Sequence, residues 1–200
     1  MPRIVVAVLL FLGTVLPAQA SIVIVGLGKD EIFIATDSRE FLGKSFRDNG
    51  CKNIVLGEHM AFAVLNMHAY SKTCDALSLA INSFSPNDSI ETIARRWADS
   101  ASSAFYASPY LQESISISVV KSETSTQGFF LGFTPSGSEL LLEKIGLVQG
   151  THFHNEEVAT ADSEGGLRWF IFGVVDMPRE LLTADSDSAR AVRANAAGRP

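Results

Sequence analysis

Along the chain, apolar and polar positions fall into blocks whose period changes. Ile4 to Leu16 is an apolar run broken only by Gly13 and Thr14 and ended by Pro17. Ser21 to Gly28, SIVIVGLG, is rich in β-branched residues, and Glu31 to Ala35, EIFIA, follows after Lys29-Asp30. Two such runs across so short a break predict an antiparallel hairpin. Residues 36–50 are polar and carry Gly43, Asn49 and Gly50, which predicts a loop or an irregular strand. Asn53 to Leu56 and Met60 to Leu65 predict two more strands about a Gly57-Glu58-His59 turn. Near His68 the period lengthens. Tyr70, Cys74, Leu77, Ile81 and Phe84 fall at intervals of three and four, which predicts a helix with one apolar stripe.

Ser85-Pro86-Asn87 interrupts that stripe. Asp88 is the expected cap of a second helix, with Glu91 three residues on reaching back to the cap amide. Ile90, Ile93, Ala94, Trp97, Ala98, Ala101, Ala104 and Phe105 continue the helical spacing. After Pro109 the period drops to two, with Ile115, Ile117 and Val119 alternating with serines. Gly128 to Phe133 and Glu139 to Lys144 flank Pro135-Ser136-Gly137 and predict a second hairpin. Val158 to Ala161 reads as a short strand, and Leu167 to Val175 as helix or strand. From Arg179 the chain is rich in Ala, Asp, Ser and Arg, the composition of a frayed helix or a disordered tail.

Strands and helices therefore come in blocks instead of alternating. That order predicts an α+β fold, antiparallel sheet packed with helices, and argues against a doubly wound parallel sheet. The 200 residues suffice for one domain, and a hydrophobic content of 46% can fill its core. Phe129-Phe130 and Trp169-Phe170 are expected in that core.

Residues 1–20 carry the three parts of an export leader: Arg3, the apolar run, and Ala18-x-Ala20. The run is shorter than the ~20 residues that a membrane-spanning helix needs. The alternatives are an uncleaved anchor or an apolar first strand. With the leader cut, residues 21–178 form the domain, residues 179–200 form its tail, and the protein is periplasmic or secreted, with no stable membrane span. Cys51 and Cys74 would then meet an oxidising compartment. They either pair, closing a loop worth roughly 3 kcal/mol, or stay as two buried thiols.

The formal charge of −6 becomes about −7 without the leader. Scattered basic residues and a negative balance argue against a nucleic-acid partner, since phosphate contacts need clustered Lys and Arg. No Cys/His spacing suits zinc, no Gly-rich phosphate loop is present, and no serine sits in a G-x-S-x-G elbow. His152-x-His154 would share one face of a strand but lacks a third ligand, so both are expected at the surface. His59 and His68 are expected at a turn and at the start of a helix.

Cutting after Ala20 would make Ser21 the first residue. A serine hydroxyl needs a base, and an N-terminal serine carries one in its own α-amino group, with a reference pKa near ~8. That amine can accept the hydroxyl proton directly or through one water. A nearby ammonium would keep more of it as free base, and a carboxylate would hold the ammonium in place. The chemistry thus asks for a free Ser terminus, a buried Lys and an Asp.

SIVIVGLGKDEIFIATDSRE resembles the opening of a proteasome β-type subunit, a member of the N-terminal nucleophile (Ntn) hydrolases. There the first strand begins with the nucleophile and the second ends in Ala-x-Asp-x-Arg, here Ala35-Thr36-Asp37-Ser38-Arg39. Asp37 follows Ser21 at the family's spacing. The resemblance implies Lys52, in CKNIVLGEHMAFAVL, as the family's lysine, one position short of its usual place. In ATADSEGGLRWFIFGVV it implies Ser163 as the serine near the amino terminus. Arg39 would be a structural ion-pair partner. GFFLGFTPSGSELLLEKIG is similar to the family's later hairpin.

Over residues 21–176 the resemblance implies an αββα sandwich of two mainly antiparallel sheets between helix layers, without the family's last strands. It implies a peptide or other amide substrate and no metal or cofactor, and it leaves a homo-oligomer open. The nucleophile is Ser where proteasomes have Thr; other Ntn hydrolases, acylases among them, use Ser. AVLNMHAY lacks the family's glycine at the oxyanion hole, so a backbone amide near Leu65 or Asn66 would serve instead. The alternative function is a non-catalytic subunit of the same fold that acts in interaction or assembly.

Overall fold

The structure is a computed structural model that describes residues 3–9, 22–37, 40–42, 45–47, 50–111, 124–135, 137–148, 150–161 and 167–173. The first sheet has the order β1-β3-β2-β11, from Arg3–Leu9, Glu31–Asp37, Ile22–Leu27 and Arg168–Gly173. Its pairs are antiparallel except β1 with β3, which run parallel. The second sheet is antiparallel with the order β10-β9-β8-β7-β6, from Thr151–Thr160, Gly137–Val148, Thr124–Thr134, Met60–Asn66 and Asn53–Leu56. A small hairpin joins β4, Glu40–Leu42, to β5, Ser45–Arg47. Helices α1, Ala76–Ser83, and α2, Ile90–Tyr106, lie between β7 and β8 in the chain.

The alternation of strand side chains explains the layering. On β7, Met60, Phe62 and Val64 join the core under α1 and α2, while Ala61, Ala63 and Leu65 join the core between the two sheets. A strand buried on both faces reads as a continuous apolar run, as MAFAVL does. The inter-sheet core adds Val23, Val25 and Leu27 from β2, Ile32 and Ile34 from β3, and Phe129 and Leu131 from β8. The two sheets thus pack face to face in an α+β fold, with α1 and α2 on the outer face of the second sheet. Trp97 of α2 is fully buried, and its indole N–H donates to the Ala76 carbonyl at 3.0 Å. Gly128 opposite leaves room for the ring: a Cβ there would sit 2.6 Å from Trp97 Cη2.

Both predicted hairpins form, as do the strands at 53–56 and 60–66. Some element ends differ from the expectation. Helix α1 does not begin near His68. The chain turns at Tyr70–Cys74 through amide bonds from Tyr70 and Ser71 to the Cys74 carbonyl. Asp75 then caps α1, accepting from Ser78 N–H at 2.7 Å. Tyr70 still reaches the core, with its hydroxyl 3.0 Å from Thr126 Oγ1. Ser89, not Asp88, caps α2, accepting from Thr92 N–H; Asp88 instead pairs with Arg96. Strand β10 starts at Thr151 and not near Val158, because an exposed outer strand can be polar at most positions and hide its period. Leu167 to Val175, read as helix or strand, holds β11, whose Trp169 and Phe170 are half-buried.

Arg3–Leu9, read within an export leader, pairs in parallel with β3, Leu9 opposite Asp37. Cys51 and Cys74 are free thiols, Cys51 exposed and Cys74 half-buried. The expected strand about Ile115–Val119 and the tail from Arg179 lie outside the described residues.

Candidate functional site

The β2–β3 hairpin fixes the first half of the site. Gly28 N–H closes the turn onto the Glu31 carbonyl at 2.9 Å, and the register sets Val23 opposite Thr36. One step further along each strand, Ile22 meets Asp37, and the Ile22 N–H donates to Asp37 Oδ2 at 2.7 Å. The other carboxylate oxygen, Oδ1, accepts from the ammonium of Lys52. Lys52 comes from the second sheet. It stands just before β6, and its carbonyl accepts from Val64 N–H of β7 at 2.9 Å.

The Lys52 side chain is 2% exposed and that of Asp37 12%. Burial of a lysine at this depth requires a counter-charge, because an uncompensated buried ammonium is strongly unfavourable. Asp37 therefore does two things at once. It holds a buried cation, and it binds the amide of the residue that directly follows Ser21 in the chain. A carboxylate that accepts two charge-assisted bonds in this way is fixed in both position and plane.

Asn66 ends β7 two residues beyond Val64, at the Lys52 end of the sheet. It has φ = 67° in the left-handed region, the one non-glycine residue with positive φ among the described residues. Its side-chain amide donates to Ser125 Oγ at 3.1 Å. Strained backbone of this kind gathers at ligand sites. Asn tolerates it better than residues with a branched Cβ. Asn66→Val is expected to lower stability by about 1–2 kcal/mol, whereas Asn66→Gly is expected to stay within about 0.5 kcal/mol of wild type. Urea denaturation midpoints of the two variants check this; equal losses would show that the side-chain bond to Ser125 matters and the dihedral does not.

Of the residues singled out in the sequence, Asp37 and Lys52 come together beside residue 22. Ser21, Arg39 and Ser163 lie outside the described residues. His152 and His154 are exposed, as expected, but both have partners. The His152 ring stacks on Tyr106 of α2 with centroids 3.8 Å apart. His154 Nε2 lies 2.5 Å from Glu143 Oε2. The sequence reading passed over Glu143. Its signal was a charged residue at the helix-facing parity of ELLLEKIG, between Leu141 and Ile145.

Glu143 is fully buried, and its Oε1 has no hydrogen-bond partner among the described residues. Burial pushes its pKa up, the bond and charge of His154 pull it down, and Glu156 pushes it up again. A folded pKa above the unfolded one stabilises the protein fully below the unfolded value, and the contribution is lost as pH rises through the folded value. Glu143→Gln, which cannot ionise, should therefore gain on wild type between about pH 5 and about pH 8. Urea midpoints at both pH values test it; parallel behaviour would mean that Glu143 ionises in the fold at no cost. No group of three His, Cys, Asp or Glu residues able to hold a metal occurs among the described residues.

Compared with known proteins, the chain matches no family model and no curated protein.

Proposed function

We propose that the protein is an exported amide hydrolase of the Ntn type, with an αββα-like sandwich as its scaffold and Ser21 as its nucleophile. One observation carries the reading: the Asp37 carboxylate joins the buried Lys52 ammonium to the amide of residue 22. That is the neighbourhood an N-terminal serine needs. Ser21 Oγ attacks the amide carbonyl, and the free α-amine of Ser21 takes the hydroxyl proton. The amine returns that proton to the leaving nitrogen as the C–N bond breaks. Water, deprotonated by the same amine, then attacks the Ser21 ester, and the amine hands that proton to Oγ as the ester C–O bond breaks and the acid is released. Lys52 and Asp37 orient the amine and set the local charge. The substrate is a peptide or another amide, and the reaction uses no metal or cofactor. A backbone amide at Leu65 or Asn66 would bind the oxyanion.

A second reading is a non-catalytic subunit of the same fold. It is favoured by the pairing of Arg3–Leu9 with β3, which a chain retaining its first residues would keep. With those residues attached, the Ser21 nitrogen is an amide and cannot act as a base. Mass spectrometry of the exported protein decides between the two. The first reading expects Ser21 as the mature terminus, and any other terminus removes it. A hydroxyl-directed acylating probe should then label wild type and leave Ser21→Ala unlabelled; equal labelling of both would leave the interaction reading in its place.

A further inference from the structure

The Asp37–Lys52 pair spans the two sheets, so its geometry depends on how the sheets register against each other. Asp37 belongs to the first sheet, and Lys52 stands at the head of β6 in the second. Apolar packing between them is non-directional. It sets the spacing of the layers but resists lateral slip only weakly. Directional bonds set lateral position.

Two buried side-chain bonds between the sheets supply that direction. At the turn end, Ser138 Oγ of β9 donates to the Gly28 carbonyl at 2.6 Å. At the site end, Asn53 Nδ2 of β6 donates to Thr36 Oγ1 of β3 at 2.8 Å. Thr36 is 1% exposed and Asn53 6%, and each is the immediate chain neighbour of one member of the ion pair. Thr36 is β-branched and stiff about χ1, so its oxygen is a fixed anchor.

We propose that Thr36 and Asn53 are positioning residues for the Asp37–Lys52 pair. Their bond locks the end of β3 to the head of β6, so that the carboxylate meets the ammonium and the amide of residue 22 together. The role in catalysis rests on the Ntn reading above; the positioning itself does not.

The experiment compares Thr36→Val, Thr36→Ser and Asn53→Ala with Ser138→Ala, in the protein as exported. The first readout is the NMR signal of the Lys52 ammonium and its hydrogen exchange, which reports the ion pair whether or not the protein is an enzyme. Thr36→Val and Asn53→Ala should speed that exchange by about tenfold. Thr36→Ser, which keeps the oxygen, should restore it. Ser138→Ala removes the other tie and should leave the Lys52 signal unchanged at a similar loss of thermal stability. Unchanged Lys52 exchange in Thr36→Val and Asn53→Ala, or an equal effect from Ser138→Ala, overturns the proposal. The second readout is the pH profile of acylation at Ser21, whose midpoint should move in Thr36→Val and return in Thr36→Ser. Wild type that shows a protected Lys52 but no acylation refutes the hydrolase reading and leaves the positioning role to be judged on the exchange data alone.

Discussion

Lys52→Met is expected to destabilise the protein by about 3 kcal/mol and, on the hydrolase reading proposed above, to abolish acylation of Ser21. The size follows from what remains. Lys52 is 2% exposed, and its partner Asp37 keeps only 12% of its side chain in contact with solvent. Removing the cation leaves a carboxylate that has lost a charge-assisted bond and cannot recover full hydration where it stands. The isosteric double variant Lys52→Met with Asp37→Asn should recover part of the loss, because it also removes the carboxylate charge that the Lys52 ammonium had balanced. Acylation should not recover, since neither neutral side chain can tune an amine. Guanidinium denaturation and probe labelling of the three variants measure both effects. A single-variant loss below about 1 kcal/mol with labelling intact would show that the pair is neither buried in effect nor coupled to residue 21.

The second large effect lies in the helix-facing core. Trp97→Ala should cost about 4 kcal/mol. The ring packs against Phe62 and Phe130 with centroids 5.4 and 5.6 Å away, and its N–H satisfies the Ala76 carbonyl at the first turn of α1. Truncation thus opens a cavity between α2 and β8 and loosens α1 as well. The complementary change is Gly128→Ala, whose Cβ would press on the Trp97 ring at 2.6 Å and should cost about 1–3 kcal/mol. In a Trp97→Phe background the smaller ring should yield, and the cost of Gly128→Ala should fall. Thermal denaturation across this cycle tests the fit; additive costs would mean that the ring and the glycine do not meet.

The parts of the fold legible in the sequence were those whose burial pattern is written in the chain. β2 and β3 are runs of β-branched residues across a two-residue polar break, so their hairpin was visible. β8 and β9 flank Pro135-Ser136-Gly137 and were visible for the same reason. The start of α1 was not, because Tyr70 and Cys74 share the helical spacing of Leu77 while sitting in a turn that precedes Asp75, the cap of α1. β10 was half hidden, since His152, Asn155 and Glu157 give no alternation when the strand is exposed. At the site, Asp37 was legible through motif spacing, and Lys52 through the resemblance alone, one position short of the family's place. Glu143 was missed because an acid in a largely apolar strand looks like an outward residue until its partner His154, on the next strand, is known.

One feature of the topology bears on when the site can exist at all. β8, β9 and β10 form a meander of long neighbouring strands, whose contacts are close in sequence. The ion pair, by contrast, needs a hairpin from the first sheet to meet the head of β6 in the second. Short-range pairing closes sooner than long-range docking. On a nascent chain the meander should therefore be in place before the hairpin settles on it, and until then Asp37, already bonded to the amide of residue 22 within the hairpin, has not met the Lys52 ammonium. On the hydrolase reading proposed above, that timing would be a safeguard of its own: a half-folded protein would carry no armed hydroxyl.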